Sequence, residues 1–207
     1  MADLTALGKA IEAGDRTSAV SFTKEALEAG VPAQEILDAM TDAMAVTGAK
    51  FQANEIFVPE MLIAARAMKE AMAVLEPVLA GAGIKPEVTA VLGTVKGDLH
   101  DIGKNLVGMM WKGANIEVID LGTNVPPERF AEAAKEHGAK LVGISALLTT
   151  TMVGMKDAVD AIRAAMPETK IIVGGAPVTP EFAQEIGADG FAPDAGAAVD
   201  VAHQVLA

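Results

Sequence analysis

Three histidines and no cysteine among 207 residues leave few places for metal or nucleophile chemistry. One histidine, His100, lies in the stretch Gly97-Asp98-Leu99-His100-Asp101-Ile102-Gly103-Lys104-Asn105. A lone loop histidine is ordinarily solvated or caps a helix. Two kinds of neighbour give this one a second reading. Asp98, two residues earlier, can accept a hydrogen bond from one ring nitrogen and leave the other for a metal. Gly97 and Gly103 remove side chains where a bulky group could approach the backbone. A second cluster is Ser145-Ala146-Leu147-Leu148-Thr149-Thr150-Thr151. Each hydroxyl alone suits helix capping, whereas together they set hydrogen-bonding groups beside an apolar wall. The third feature, Gly174-Gly175, makes a turn or lets a ligand slide along strand ends without meeting a side chain. His137, before Gly138, reads as a helix end, and His203 as a solvated residue of the last helix.

These clusters need elements to bring them together. The first 80-odd residues have a helical pattern. Asp3 caps a helix towards Gly14, Asp15 caps a second ending at Gly30, and Pro32 opens a third with Glu35 in its first turn. Pro59 opens a fourth, with Met61, Leu62, Ala65, Met68, Met72 and Leu75 at helical spacing. Short loops then predict a four-helix bundle. A Gly/Pro linker, Gly81 to Pro86, places the domain border, giving a bundle over residues 1–85 and a second domain over 86–207. In that domain strands at Val88–Leu92, Ile116–Ile119, Leu141–Ile144, Lys170–Val173 and Gly190–Phe191 alternate with helices. The helices are expected near 102–114, 127–138, 152–166, 180–186 and 195–206. The fold class is therefore α/β: a helical bundle followed by a flavodoxin-like (Rossmann-like) five-stranded parallel sheet of order 2-1-3-4-5. Its switch point lies between strands 1 and 3, so ligand chemistry belongs on the loops Lys96–Gly103 and Ser145–Thr151.

Composition excludes several classes. With 51% hydrophobic and 21% charged residues the chain has material for a core, which excludes disorder. A net charge of −12 and only 3% aromatic residues exclude a nucleic-acid partner, which needs a basic face and stacking platforms. The N-terminus Met1-Ala2-Asp3-Leu4 lacks basic and apolar targeting regions, and the uncharged stretch Leu141–Met155 is shorter than the roughly 20 residues of a membrane span. No membrane partner and a cytoplasmic location are expected.

Without cysteine or a second nearby histidine, a bare zinc or iron ion lacks ligands here. One histidine suits a metal whose remaining positions are filled by a macrocycle, as in haem or a corrinoid. Asp98-Leu99-His100-Asp101-Ile102-Gly103, then Ser145-Ala146-Leu147, then Gly174-Gly175 resemble the D-x-H-x-x-G…S-x-L…G-G signature of cobalamin-binding domains. The likeness extends through the helical bundle and covers essentially the whole chain. It is similar to the cobalamin-binding portion of cobalamin-dependent methionine synthase and to free-standing corrinoid proteins of anaerobic methyltransferase systems.

The resemblance implies a cobalamin cofactor bound base-off, with His100 as the lower cobalt ligand, the only metal-ligating residue. Asp98 would hydrogen-bond His100, and Thr151 stands where methionine synthase has a serine completing the relay. Asp101 and Ile102 accompany the histidine within the motif. Ser145, Leu147 and Thr149 would line the pocket of the displaced nucleotide tail, with Gly103, Gly174 and Gly175 giving it passage. Phe51 and Val58 fall where family members cover the upper corrin face, although ordinary bundle core accounts for them equally well.

The expected function is a corrinoid methyl carrier rather than a complete enzyme. It would work between a substrate-specific methyltransferase and an acceptor methyltransferase using tetrahydrofolate, with a reductive activator, and O-demethylation of aryl methyl ethers is the first substrate expectation. The alternative is a cobalamin-sensing regulator, but that requires a DNA-binding module for which the chain has neither a basic region nor spare length. A phosphoreceiver on the same fold needs acidic residues ending strand 1, where the chain reads Gly93-Thr94-Val95-Lys96.

Overall fold

The computed structural model describes residues 3–86 and 88–207; Met1 and Ala2, part of the stretch read for a targeting signal, and Glu87 lie outside the described residues. The chain divides into two compact units, one formed by the chain up to Pro86 with Gly113–Asn115, the other by the remainder.

The first unit holds helices α1 (Leu4–Glu12), α2 (Arg16–Glu28), α3 (Ala33–Gln52) and α4 (Val58–Gly81). Asp3 and Asp15 cap α1 and α2 by accepting the backbone N–H of Ala6 and Ser18, each at 3.0 Å. Pro32 occupies the N-cap of α3 instead of its first turn. Before α4, Glu60 reaches back to accept the N–H of Phe57 at 3.0 Å, while Pro59 stands in the first turn, where its missing N–H costs nothing. Helix α1 packs on α3, α2 on α4, and α3 on α4. Their shared core is aliphatic and sulfur-rich: Leu7, Ile11, Ile36, Met40, Met44, Met61 and Leu75 are all fully buried. Flexible methionines fill the gaps that the scarce aromatics leave.

The second unit begins with β1 (Val88–Thr94), followed by α5 (Ile102–Gly113), β2 (Ile116–Asp120), α6 (Pro127–His137) and β3 (Leu141–Ser145). It continues with α7 (Thr149–Met152), α8 (Gly154–Ala165), β4 (Lys170–Gly174), α9 (Pro180–Glu185), β5 (Gly190–Ala192) and α10 (Ala197–Leu206). The five strands pair in parallel in the order β2-β1-β3-β4-β5, as the alternation of elements predicts. Successive strand residues serve opposite faces. Val91, Val142, Ile171 and Val173 join Phe130, Val159 and Ile162 in one core, while Ala90, Leu92, Leu141 and Ile172 join Trp111, Ala198 and Ala202 in the other. Trp111 donates its indole N–H to the Ala198 carbonyl at 2.9 Å, so this large side chain is buried without an orphaned polar atom. Gly143 makes room for it: a Cβ there would lie 2.6 Å from the Trp111 ring.

One expected helix differs. In place of a single helix from Met152, a one-turn α7 starts at Thr149, and α8 starts afresh at Gly154. Val153 closes the first and precedes the second, and Gly154, a poor helix former, marks the break. The sheet register carries the two candidate loops to one edge. Thr94 pairs with Ser145, and Ser145 with Gly174, so β1, β3 and β4 all end at the same level.

Candidate functional site

The loop leaving β1 turns sharply at once. Gly97 has a φ of +84°, and the N–H of Asp98 closes a turn onto the Val95 carbonyl at 3.1 Å. This sends Asp98 inward and the following residues outward. The Asp98 side chain is 0% exposed, whereas that of His100 is 51% exposed. Leu99 and Ile102 beside it are each 73% exposed. Apolar side chains held in the open next to a buried carboxylate are unusual for a soluble loop, and Leu147, Leu148 and Val153 on the β3 side extend that surface.

Asp98 is the hub. One carboxylate oxygen, Oδ1, accepts the backbone N–H of His100 at 3.0 Å and faces His100 Nδ1 at 2.7 Å. The other, Oδ2, accepts the backbone N–H of Leu147 at 2.8 Å and the hydroxyl of Thr151 at 2.7 Å. Burial pushes the carboxyl pKa up, but the bonds from Thr151, Leu147 and His100 outweigh it and hold Asp98 well below the usual carboxylate range. An ionised carboxylate only accepts, so Nδ1 of His100 carries the ring proton. In the neutral tautomer this selects, Nε2 is the nitrogen that keeps a lone pair, on a half-exposed ring. That is the state a metal-ligating imidazole needs.

Of the residues singled out by motif, Asp98, His100, Leu147 and Thr151 form this single connected cluster. Ser145 ends β3 between Thr94 and Gly174. Ile102 and Gly103 form the first turn of α5, and a Cβ on Gly103 would meet nothing within 4 Å, which leaves open space over that turn. Asp101 faces away from the hub, accepting from Asn105 Nδ2 at 3.1 Å, and Thr149 is exposed at the start of α7. The glycine pair has a reason internal to the protein. A Cβ at Gly174 would lie 2.8 Å from the Ala192 carbonyl, and one at Gly175, where φ is +124°, would lie 1.9 Å from the Ala146 carbonyl. Backbone packing therefore requires glycine at both positions. Phe51 and Val58 belong to the helical unit, each half-buried, and Phe57 between them is 63% exposed.

Three further residues shape the site without belonging to any motif. Thr94, fully buried, donates its hydroxyl to the His100 carbonyl at 3.0 Å. Asp120, the last residue of β2, and Asn124, on the loop that follows, grip α5 and the histidine loop. Among the described residues no three His, Cys, Asp or Glu side chains converge on a common point, so His100 is a single protein donor. One donor with a fixed tautomer, an apolar rim and an open glycine turn fit a metal that brings its own equatorial ligands.

The comparisons with known proteins agree. Residues 88–201 match a family model described as "B12 binding domain", and residues 4–76 match a second model of the same description. A corrinoid protein of Desulfitobacterium hafniense is 37% identical over 212 residues, covering 100% of this chain and 98% of that protein. Dimethylamine corrinoid protein 2 of Methanosarcina mazei is 40% identical over 192 residues, covering 91% of this chain and 88% of the relative. The methanol:cobalamin methyltransferase complex of Methanosarcina barkeri contains a chain that superposes with a TM-score of 0.87 at 28% identity, over 98% of this chain and 79% of that one. The chain belongs to the B12-binding family of corrinoid proteins.

Proposed function

We propose that this chain is a corrinoid methyl carrier within a methyltransferase system, binding cobalamin base-off with His100 as the lower ligand. The observation that carries the reading is the Asp98 carboxylate shared between His100 Nδ1 and Thr151 Oγ1, at 2.7 Å each. When bound, the corrinoid supplies a cobalt centre that takes up a methyl group and gives it up again.

The chain's own residues do the rest. Asp98 fixes the imidazole tautomer and orientation. A proton taken up at Nε2 occupies the ligating lone pair, so ligation is coupled to proton movement through the His100–Asp98–Thr151 series. Thr151 keeps the hydroxyl that this series requires, and its second bond to the Leu148 carbonyl at 3.0 Å holds it in place. Leu99, Ile102 and Leu147 offer the macrocycle an apolar bed, while Ser145 and Thr149 offer the nucleotide tail polar groups. Phe51 and Val58 are proposed, from the family resemblance, as the residues that would give the bound group an apolar cover.

The partners are a substrate-specific methyltransferase, an acceptor methyltransferase using tetrahydrofolate, and a reductive activator, and the location is cytoplasmic. No helix among the described residues is long and apolar enough to cross a membrane. O-demethylation of aryl methyl ethers is the proposed donor chemistry, and the relatives' names add dimethylamine and methanol to the donors to be assayed. Reconstitution with a corrinoid tests the core of this reading. The absorption spectrum is expected to show a base-off cofactor with a histidine ligand that is lost in His100→Ala, and failure to bind any corrinoid would sink it.

A further inference from the structure

The end of β2 and the loop between β2 and α6 grip the histidine segment from both sides of His100. On the N-terminal side, Asn124 makes two reciprocal bonds. Its side-chain Oδ1 accepts the N–H of Gly97 at 2.8 Å, and its own N–H donates to the Asp98 carbonyl at 2.9 Å. On the C-terminal side, Asp120 holds Lys104 of α5 through both carboxylate oxygens at 2.6 Å. The Lys104 side chain is 1% exposed and also donates to Asn105 at 2.7 Å. The gripping loop is itself anchored to the end of β1. Thr94 donates its N–H to Gly122 O, Val125 donates to Thr94 O, and Val95 bridges Val125.

Asn124 also has a left-handed backbone, φ +55°, which few residues other than glycine and asparagine adopt readily. A residue there must meet two demands at once: tolerate that conformation and present an acceptor to Gly97. We infer that Asn124 is a positioning residue for the lower cobalt ligand, acting through Gly97 and Asp98 to fix where His100 presents Nε2. This rests on the reading of His100 as that ligand. The Lys104–Asp120 pair fixes the other end of the same segment, so the histidine is suspended between the end of β2 and the loop that follows it.

Two variants separate the demands. Asn124→Gly keeps the backbone conformation and removes the acceptor, whereas Asn124→Asp keeps both. Each full-length protein is reconstituted with cobalamin, and isotopically labelled imidazole is titrated in while electron paramagnetic resonance of the reduced cobalt distinguishes protein from added nitrogen. The imidazole concentration that replaces the protein ligand is expected to fall about tenfold or more in Asn124→Gly, the usual effect of losing an outer-shell partner, and to stay near wild type in Asn124→Asp. Thermal melting of the cofactor-free variants should stay close to wild type. Three outcomes overturn the inference: an unchanged imidazole midpoint in Asn124→Gly, an equal fall in Asn124→Asp, or a fall matched by a general loss of stability. Failure of the underlying reading is distinguishable, because the protein nitrogen signal would then be absent from wild type or persist in His100→Ala.

Discussion

Replacing Asp98 by asparagine keeps the shape of the hub and removes its charge. The carboxylate accepts from three backbone N–H groups, of His100, Leu147 and, at 3.4 Å, Leu148, from the Thr151 hydroxyl, and from the His100 ring. An amide has one oxygen to offer. If its nitrogen turns towards His100, the His100 N–H loses its acceptor and the ring must accept at Nδ1, moving its proton to Nε2. If it turns towards Leu147, that N–H is orphaned, while Thr151 can fall back on the Leu148 carbonyl already 3.0 Å away. Either way at least one backbone donor is stranded and the remaining bonds lose their charge assistance. A stranded donor costs about 1–3 kcal/mol, and a total near 2 kcal/mol follows, since both loops reach solvent and water relieves part of the loss. In a chain of this size that lowers the melting temperature by roughly 4–8 °C. The pH dependence has a definite sign. A carboxylate held below its usual range contributes its stabilisation in full above the unfolded value, about 3.9, and loses it as pH falls further towards the folded value. The gap between wild type and Asp98→Asn should therefore be constant near neutrality and narrow in acid. Melting followed by circular dichroism across pH measures it. A variant melting within about 1 °C of wild type at pH 7, on the same size scaling, would falsify the assignment of Asp98 as the hub.

Three other substitutions probe how tightly the site is built. Gly175→Ala places a Cβ 1.9 Å from the Ala146 carbonyl at a φ of +124°, so a loss of about 3 kcal/mol or more, seen as low soluble yield or a depressed melting point, is expected. A normal melting curve would mean that the β3 and β4 loops can separate at little cost. The Lys104–Asp120 pair should respond asymmetrically. Lys104→Met leaves Asp120, 43% exposed, to water and should cost within about 1 kcal/mol, whereas Asp120→Ala strands a buried ammonium and should cost about 3 kcal/mol. Denaturant midpoints of the two variants check the ordering, and equal losses would contradict it.

The switch point was legible because it depends on alternation. Apolar strands separated by helical stretches restrict the sheet to a few doubly wound orders, and the flavodoxin-like one observed brings the loops holding Asp98 and Thr151 together wherever each element ends. The hub itself was half legible. The spacing of Asp98 and His100 announced their bond, but the Leu147 N–H is a backbone donor, and any residue there would supply it. Asn124 and Thr94 went unread for the same reason: they act on the backbone of the histidine loop, and such partners leave no motif. The glycine pair has a reason of its own. Glycine at 174 and 175 is demanded by neighbouring carbonyls, whether or not a ligand passes along the strand ends. The break at Val153 escaped periodicity because a single helical turn is shorter than the pattern used to find it.

The two halves of the Asp98 hub are written far apart. His100 is two residues away, whereas Leu147 and Thr151 lie 49 and 53 residues further along the chain. A chain emerging from synthesis carries Asp98 and His100 together long before it carries the groups that hold the second carboxylate oxygen. Those groups arrive only when β3 has docked beside β1, a non-local step that follows local helix formation. The arrangement thus ties burial and fixing of the Asp98–His100 pair to the completion of folding, and a half-finished chain offers the pair on a loop with nothing to pin it.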